Sequence, residues 1–306
     1  GTEHQLLGDF VTGTAMVAYD PATHCFESGA QAELTEGWHA EYRAAVLALG
    51  DYVNKNKFPG VVLGMSGGID SALTAAMAVD ALGPDRVWCV MMPSKYTSSD
   101  SLEDAKACAE ALGVKYDSIN IAPGVGAMGE MLADQFAGTK PDTTEENIQS
   151  RLRAVTLMAL SNKFGHMVVT TGYNALKDFY KTEVFELAKW RNTMVPRGAL
   201  GPAGEVIPER IITKPPSAEL REDQRDDDSL PPYDVLDDIL RGLVDEEEPI
   251  EAILARGHDR AVVKRIEHLL YIAEYKRRQA PPGVKVGGKN FGRDRRYPIT
   301  NRFRDD

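Results

Sequence analysis

The sequence predicts an α/β fold, a doubly wound parallel sheet with flanking helices, followed by a mainly helical C-terminal extension. Short apolar runs, such as residues 61–63 and 87–91, are typical of strands buried on both faces of a parallel sheet. Segments with helical spacing alternate with these runs, which is the pattern of parallel βαβ units. Beyond residue 233 the pattern is helical only.

The elements follow in chain order. The sequence predicts strands over residues 10–18, 24–26, 61–64, 86–92, 116–121 and 167–172. It predicts helices over residues 38–57, 71–81, 101–112, 148–163, 181–190, 234–243 and 250–276. Prolines and a run of charge predict an exposed excursion over 196–232. Because the carboxyl ends of parallel strands meet at one edge, we expect a binding site in the loops that follow them.

Composition limits the classes of function. The chain has 306 residues, of which 43% are hydrophobic, enough for one large α/β domain or two smaller ones. A net charge of −11 argues against nonspecific nucleic-acid binding, which needs a basic face. Cys25, Cys89 and Cys108 show neither metal-ligand spacing nor a disulfide framework, which predicts a reducing compartment. No apolar run approaches the length of a membrane span, so we expect a cytoplasmic protein without membrane or nucleic-acid partners.

The loop Ser66-Gly67-Gly68-Ile69-Asp70-Ser71 joins the first buried strand to a helix. The first N–H groups of a helix lack partners and its dipole makes that end positive, so such a turn attracts anions. The two glycines carry no Cβ and let a phosphate approach the backbone. The loop lacks the lysine of a Walker motif and the glycine spacing of a dinucleotide-binding motif.

Asp70 is unusual in a loop that binds phosphate, because a carboxylate repels phosphate unless a cation lies between them. Mg²⁺ takes one or two carboxylates together with phosphate oxygens, so we interpret Asp70 as a metal ligand. The alternative is an ordinary glycine turn in which Ser66 or Ser71 caps the helix.

Two basic groups also suggest an anion. Arg151 and Arg153 lie near the predicted start of helix 148–163, where a positive charge opposes the helix dipole unless an anion is close. The segment Lys276-Arg277-Arg278 is, most simply, a basic surface patch.

The phosphate loop resembles that of the ATP-pyrophosphatases, which split ATP between its α and β phosphates. The chain from about residue 41 to 303 resembles, within that group, the NAD synthetase family. The resemblance implies an adenine nucleotide alpha hydrolase-like sheet. The matching stretches are residues 64–71, 92–96, 146–151, 161–163, 171–172, 180–184, 214–220 and 274–278.

The resemblance implies a two-step reaction that uses ATP and Mg²⁺. The nicotinate carboxylate of deamido-NAD attacks the α-phosphate and releases pyrophosphate. Ammonia, taken as such or supplied from glutamine, then displaces AMP to give NAD. The resemblance further implies a homodimer or higher homo-oligomer, with deamido-NAD bound across the interface.

The resemblance assigns site residues position by position. It implies that Asp70, as the metal ligand, and Lys181, as a charge on the ATP phosphates, are catalytic. For ATP it implies Gly64, Met65, Ser66, Gly67, Gly68, Ile69, Asp70, Ser71, Thr171, Lys181 and Ser217. For deamido-NAD it implies Asn147, Arg151, Tyr275 and Lys276.

One stretch departs from the family pattern. The family continues after Thr171-Gly172 into a long loop that closes over the adenylate and supplies a second metal carboxylate, whereas here Gly172 leads directly to Tyr173. Either the loop has been lost, which would expose the intermediate to water, or the sequence leaves out a lid. The intact flanks favour the second explanation.

The domain prediction has two parts. Residues 1–37 are interpreted as a leader or as the tail of a preceding glutaminase-like domain. Residues 38–306 are interpreted as the synthetase domain, with the excursion at 196–232 and the helical part at 233–306. No glutamine-hydrolysing set of Cys, Glu and Lys can be assembled from residues 1–37. The alternative functions are an inactive nucleotide-binding homologue and an amidotransferase that adenylates another carboxylate.

Overall fold

The computed structural model describes residues 3–170, 172–217, 219–221, 230–289, 294 and 296. The strands are β1 (Tyr19–Asp20), β2 (Cys25–Phe26), β3 (Val61–Gly64), β4 (Val87–Met91), β5 (Lys115–Ser118) and β6 (Met167–Val168). The helices are α1 (Gly37–Lys55), α2 (Ile69–Leu82), α3 (Ser99–Leu112), α4 (Ala122–Met131), α5 (Thr143–Phe164), α6 (Lys181–Thr193), α7 (Glu209–Thr213), α8 (Tyr233–Val244), α9 (Ile250–Ala255), α10 (Arg260–Ile272) and α11 (Glu274–Gln279).

The central sheet has the strand order β5-β4-β3-β6, and all of its pairs are parallel. Strand β3 pairs with β4 on one edge and with β6 on the other, in a register that places Val61 opposite both Val87 and Met167. The strand order therefore reverses at β3, and in such sheets a crevice opens beyond the carboxyl ends of the strands at that point. The predicted fold class is confirmed.

The two faces of β3 contact different helices. Val61 and Leu63 belong to the larger core, which contains the buried residues of α1, α2 and α6. Val62 belongs to a second core on the opposite face, where it packs with Val90 of β4 and Leu157 of α5. The continuous apolar run in the sequence follows from this two-sided burial. Helices α8, α9 and α10 enclose a separate apolar cluster, in agreement with the predicted helical C-terminal part.

Helix α5 corrects one inference from the sequence. It begins at Thr143 rather than at residue 148, and Asp142 and Glu145 form a capping box at its start. Arg151 therefore lies more than two turns inside the helix, and the argument that it opposes the dipole at a helix start was wrong. The first turns are polar and lack apolar periodicity, which is why the prediction began too late.

Other element boundaries also differ from the prediction. No strand covers residues 10–18; the short antiparallel pair β1 and β2 begins only at Tyr19, and each of its strands is two residues long. The helix predicted over 250–276 is divided into α9, α10 and α11. Helix α4 was missed because Gly124, Gly126 and Gly129 lower its helix propensity.

The excursion predicted as exposed is partly buried. Val206, Ile207 and Ile211 lie in the main core, and α7 packs against α2 and α6. Its prolines and charges hid this short apolar segment. In the described part of the chain, no helix combines the length and the apolar character needed to cross a membrane.

A buried ion pair joins three helices. Asp80 of α2 accepts hydrogen bonds from Arg191 Nε of α6 at 2.6 Å and from the Tyr42 hydroxyl of α1 at 2.7 Å. A second guanidinium nitrogen of Arg191 donates to the other Asp80 oxygen at 2.8 Å and to the Pro202 carbonyl at 2.9 Å. Burial and the adjacent Asp80 charge raise the pKa of Tyr42 well above its usual value.

We expect Asp80→Ala to lower the free energy of unfolding by about 3 kcal/mol or more, because it leaves Arg191 buried without its carboxylate. Tyr42→Phe removes one hydrogen bond and should cost about 1 kcal/mol. Asp51→Ala, which breaks an exposed pair with Lys55, should cost less than about 1 kcal/mol. Urea denaturation measures all three, and equal losses for Asp80→Ala and Asp51→Ala would contradict the assignment.

Candidate functional site

The loop between β3 and α2 lies at the carboxyl edge of the sheet, next to the start of α3. Gly67 has φ +75°, and a Cβ at that position would come within 2.4 Å of the Ser101 carbonyl oxygen. Gly68 is the residue before the first turn of α2 and has an extended backbone with φ −98°. Gly67 is therefore required by both its conformation and its neighbour, whereas a Cβ at Gly68 would meet only the Ser66 hydroxyl, at 3.3 Å.

The two serines of the loop hold its shape. The Ser71 hydroxyl donates to the Gly68 carbonyl at 2.9 Å, and the Ser66 amide donates to Ser71 Oγ at 3.2 Å. The Gly68 amide donates to Ser66 Oγ at 3.2 Å. Neither serine is the N-cap residue of α2, since Gly68 holds that position without a side-chain cap. The start of α2 therefore keeps amide groups for an anion.

A cavity of about 360 Å³, here called the loop cavity, opens in front of this turn. The predicted residues Ser66, Gly68, Ile69, Asp70, Lys181 and Ser217 line it together with Ser98, Asp100, Ser101, Lys214 and Glu219. The structure thus brings together groups that are more than 100 residues apart in the sequence.

Lys181 and Asp70 contact each other directly in the loop cavity. The Lys181 ammonium donates a short hydrogen bond to Asp70 Oδ2. The side chain of Lys181 is 17% exposed and that of Asp70 is 60% exposed. Lys181 is the first residue of α6 and Asp70 lies in the first turn of α2, so each helix start places one of the two charges.

The donor set fits a metal that arrives with phosphate. Among the described residues, no group of three or more His, Cys, Asp or Glu side chains is placed to hold a metal ion. Asp70 and Asp100 both line the loop cavity. One or two carboxylates with substrate phosphate oxygens are the usual Mg²⁺ ligands in nucleotide sites, so Asp70 fits such an ion, which would screen the phosphate charge.

A second cavity of about 390 Å³, here called the methionine cavity, lies at the ends of β3 and β4. Its apolar wall contains the predicted residues Gly64 and Met65 together with Met91, Met92 and Leu157. A Cβ on Gly64 would lie 3.1 Å from the Met92 methyl carbon, which makes this position tight for any larger residue. Flexible thioether side chains beside a leucine suit a flat aromatic ring such as a nucleobase.

Arg153 supplies a cationic group to the methionine cavity. Its Nε donates to the Met92 carbonyl oxygen at 3.1 Å, which holds the guanidinium against the end of β4. Burial lowers the pKa of Arg153, and the nearby Glu219 carboxylate opposes this shift. The sequence analysis considered Arg153 only as an argument about a helix start.

The two cavities share a wall formed by Ser66, Ser217 and Glu219. Glu219 accepts hydrogen bonds from the hydroxyls of Ser98 and Ser101, each at 2.7 Å, and so fastens the segment around Ser217 to the start of α3. Lys214 fastens the other end of this segment through Asp104 Oδ2 at 2.8 Å. Sequence reasoning missed Glu219 and Lys214 as site residues, although both lie in the stretch 214–220 that it singled out.

The remaining predicted residues lie outside these two cavities. Ser71 faces into the loop, Gly67 faces α3, and Thr171 lies outside the described residues. Asn147 and Arg151 are exposed on α5, and Tyr275 and Lys276 are exposed on α11. None of these last four lines either cavity, so their assignment to deamido-NAD stays a prediction.

The chain turns sharply after β6, where the sequence departs from the family pattern. The Gly172 amide donates to the Val168 carbonyl at 2.8 Å, and the Thr170 amide donates to the Tyr173 carbonyl at 2.7 Å. Thr170 has φ +93°, which is unusual for a β-branched residue. Thr170 lines the methionine cavity, so this connection begins at the rim of that cavity.

The thiols at the core are not nucleophiles. Burial raises the pKa of Cys108 to about 12 and raises the pKa of Cys89 well above its usual value. At neutral pH both therefore remain thiols, which are poor nucleophiles.

Comparison with known proteins gives a family match. A family model described as NAD synthase matches residues 41–175 and 170–280, two stretches that overlap at the sharp turn after β6. The glutamine-dependent NAD(+) synthetase of Rhodobacter capsulatus is 55% identical over an alignment of 284 residues, which covers 87% of this chain and 51% of that protein. The protein of the same name from Xanthomonas campestris pv. campestris is 47% identical over an alignment of 328 residues, gaps included, which covers 99% of this chain and 57% of that protein.

The chain spans about half the length of the curated relatives it matches. The Xanthomonas match, at 328 residues, is longer than the 306 residues of this chain, so that relative has residues without a counterpart here.

Solved structures show the same resemblance. Glutamine-dependent NAD+ synthetase from Acinetobacter baumannii in complex with adenosine diphosphate is 41% identical with a TM-score of 0.59, covering 93% of this chain and 54% of that one. NMN synthetase from Francisella tularensis is 25% identical with a TM-score of 0.62, covering 79% of this chain and 96% of that one.

The two loop glycines give a matched pair of variants. Gly67→Ala should lower the free energy of unfolding by about 1–3 kcal/mol, because of its positive φ and the Ser101 carbonyl. Gly68→Ala should lower it by about 1 kcal/mol or less, because φ −98° admits alanine and the one close neighbour of the new Cβ is the Ser66 hydroxyl at 3.3 Å, although alanine is a poorer N-cap residue than glycine. Its methyl group would still face the loop cavity and should weaken Mg·ATP binding at least about tenfold, as titration calorimetry would measure. Unchanged ATP affinity in Gly68→Ala would count against an anion site here.

Proposed function

The chain belongs to the NAD synthase family, and we propose that it catalyses the ATP-dependent amidation of deamido-NAD to NAD. One observation carries the proposal. An apolar cavity of a size that suits a nucleobase adjoins a cavity with a helix start, a carboxylate and a lysine, and the two share one wall. The complex of the Acinetobacter baumannii protein with ADP supports an adenine nucleotide as the ligand.

The cavities accommodate ATP in one direction. Its adenine enters the methionine cavity, its ribose passes the wall of Ser66, Ser217 and Glu219, and its phosphates enter the loop cavity. The amides at the start of α2 and the ammonium of Lys181 then face the β and γ phosphates, whose charge increases as the bond to the α-phosphate breaks. Bound Mg²⁺ supplies further charge stabilisation on these oxygens, with Asp70 as its protein ligand.

The reaction suits a carboxylate acceptor. The carboxylate oxygen of deamido-NAD attacks the α-phosphorus and pyrophosphate leaves. Ammonia then adds to the acyl carbon, and AMP leaves with the oxygen that came from the carboxylate. Residues of the loop cavity act on the first half-reaction, in which they stabilise the leaving pyrophosphate.

In this proposal deamido-NAD, the second substrate, binds at the interface between two copies of the chain. Arg151, Val155 and Met158 project from one side of α5, since their spacing corresponds to successive turns. Val155 is 63% exposed and Met158 is 42% exposed, an apolar strip beside a basic residue. We propose that a second copy of the chain covers this strip, so that Asn147 and Arg151 of one copy and Tyr275 and Lys276 hold deamido-NAD at the interface.

Residues 1–37 bear on whether the ammonia is supplied from glutamine. We propose that they form the end of a glutaminase-like domain and that 38–306 form the synthetase domain. The relatives named glutamine-dependent are about twice as long as the region they share with this chain, which supports this division. A cytoplasmic location is part of the same proposal, and the free cysteines Cys25, Cys89 and Cys108 support it.

Two alternatives have specific support. The similarity to an NMN synthetase, which covers 96% of that protein, favours a smaller carboxylate acceptor that yields NMN. The direct passage from Gly172 to Tyr173, without the long loop of the family pattern, favours an inactive nucleotide-binding homologue.

The decisive test supplies the purified 306-residue chain with Mg·ATP, deamido-NAD and either ammonia or glutamine, and measures NAD and AMP. We expect NAD with ammonia, and at least about 100-fold less of it with either Lys181→Met or Asp70→Asn. Lys181→Met removes a positive charge beside the departing pyrophosphate, and Asp70→Asn removes the carboxylate that would hold Mg²⁺ there. AMP formed faster than NAD would indicate that water reaches the adenylate. Turnover only with the mononucleotide acid would favour the NMN alternative, and no turnover with either acid would favour the inactive homologue.

The interface has a separate test. We expect the wild-type chain to sediment at twice its mass of 33.5 kDa, and Val155→Glu to raise the dimer dissociation constant at least about tenfold by burying two charges. Leu47→Glu, a half-exposed apolar position on α1, is the control and should remain dimeric. Sedimentation equilibrium distinguishes these outcomes, and dimerisation unaffected by Val155→Glu would exclude this face.

A further inference from the structure

Lys181 stands between two cavities. Besides the loop cavity, it lines a third cavity of about 320 Å³, the tail cavity, whose wall includes Glu41, Glu183, Asp237 and Val286. The rings of Phe185 and Tyr233 lie 5.9 and 5.8 Å from its ammonium. In this one position the ammonium therefore contacts Asp70 and also lies near two aromatic rings, so Asp70 is not its only favourable neighbour.

Water screens the contact with Asp70 from one side. The Asp70 side chain is 60% exposed, although that of Lys181 is only 17% exposed, and ion pairs that are open to water contribute on the order of 1 kcal/mol. Lysine at the first position of α6 also opposes the helix dipole, so α6 itself does not hold the ammonium there. A divalent ion accompanied by phosphate oxygens can displace such a partner.

The protein alone offers little to a metal ion. Asp70 already has a cation on one oxygen, and the described residues contain no group of three ligand side chains. A metal that used Asp70 would first have to remove Lys181. The triphosphate of the nucleotide supplies further oxygen ligands to the metal. It also supplies an anion that can pair with Lys181 in place of Asp70.

We propose that the Lys181 ammonium pairs with the Asp70 carboxylate in the free protein and moves to the nucleotide phosphates when Mg·ATP binds. Asp70 then becomes a metal ligand only in the presence of nucleotide. This proposal rests on the proposed function for the identity of the nucleotide. In the free protein Lys181 keeps divalent ions off Asp70. In the complex the same ammonium lies on the phosphates and Asp70 faces the metal.

Manganese binding tests the exchange, because Mn²⁺ without nucleotide probes Asp70 independently of catalysis. Free Mn²⁺ is measured by electron paramagnetic resonance in titrations of the wild type and of Lys181→Met, and Mg·ATP binding is measured by calorimetry. We expect Lys181→Met to bind Mn²⁺ alone about two- to fivefold more tightly, the factor that an exposed ion pair can contribute. The same variant should bind Mg·ATP at least about tenfold more weakly.

Three controls isolate the contact. Lys181→Arg keeps the charge and should bind Mn²⁺ as the wild type does. Lys214→Met removes another cation of the loop cavity, but one that pairs with Asp104, and should leave Mn²⁺ affinity unchanged. The gain in Mn²⁺ affinity should disappear in the double variant Asp70→Asn, Lys181→Met.

Opposite changes in the two affinities support the exchange, because a purely structural role of Lys181 would weaken both. Unchanged or weaker Mn²⁺ binding by Lys181→Met would overturn it, and so would an equal gain in Lys214→Met, which would indicate a general effect of charge. These results do not depend on turnover. If the wild type forms NAD but Lys181→Met leaves the Mn²⁺ affinity unchanged, the exchange is refuted and the proposed function stands. If the two affinities change in opposite directions but the wild type forms no NAD, the proposed function is refuted and the exchange stands.

Discussion

Burial of β3 on both faces and both edges is the constraint on which the candidate site depends. The strand lies between β4 and β6, with α1 and α2 on one face and α5 on the other, so its end can move very little. The chain must reverse within a few residues to begin α2, and Gly67 permits this beside the Ser101 carbonyl. The position of the helix start, and therefore of any anion bound there, follows from the packing of the sheet.

The sequence predicts the parts of the site that are local. Residues 61–71 contain a buried strand, a glycine turn and a helix start within eleven positions, and each has its own signal in residue type. Arg153 and Glu219 have no such signal. Their roles come from Met92 and from the serines at the start of α3, which are 61 and about 120 positions away, and only the folded chain brings these groups together. The start of α5 was misplaced for a related reason, since a capping box is a polar signal and the prediction relied on apolar spacing.

The acidic composition does not prevent an anion site, because the carboxylates around the loop cavity have donors or cations close by. Asp70 pairs with Lys181, Asp104 pairs with Lys214 and Arg210, and Glu219 accepts hydrogen bonds from the hydroxyls of Ser98 and Ser101. Asp100, which also lines the cavity, lies 3.8 Å from Arg210 Nη1. A phosphate entering this cavity therefore meets amides and partly neutralised pairs, and not a field of free negative charge. A net charge of −11 disfavours the binding of long polyanions to the protein surface. It does not determine the electrostatic field inside a cavity of a few hundred cubic ångströms.

Because the connection after β6 is short, other segments position the chain that leads to Lys181. With Gly172 hydrogen-bonded back to Val168, the chain reaches Lys181 through residues 173–180, and the C-terminal tail holds that stretch in place. The Asn174 amide donates to the Pro282 carbonyl at 2.9 Å, and the Val286 amide donates to Asp178 at 2.9 Å. The ammonium of Lys181 is thus positioned by a segment that is tied to β6 at one end and to the tail at the other. The backbone of Lys181 is held in place, so only its side chain can move. Movement of the side chain alone is sufficient for the ammonium to pair first with Asp70 and then with a phosphate.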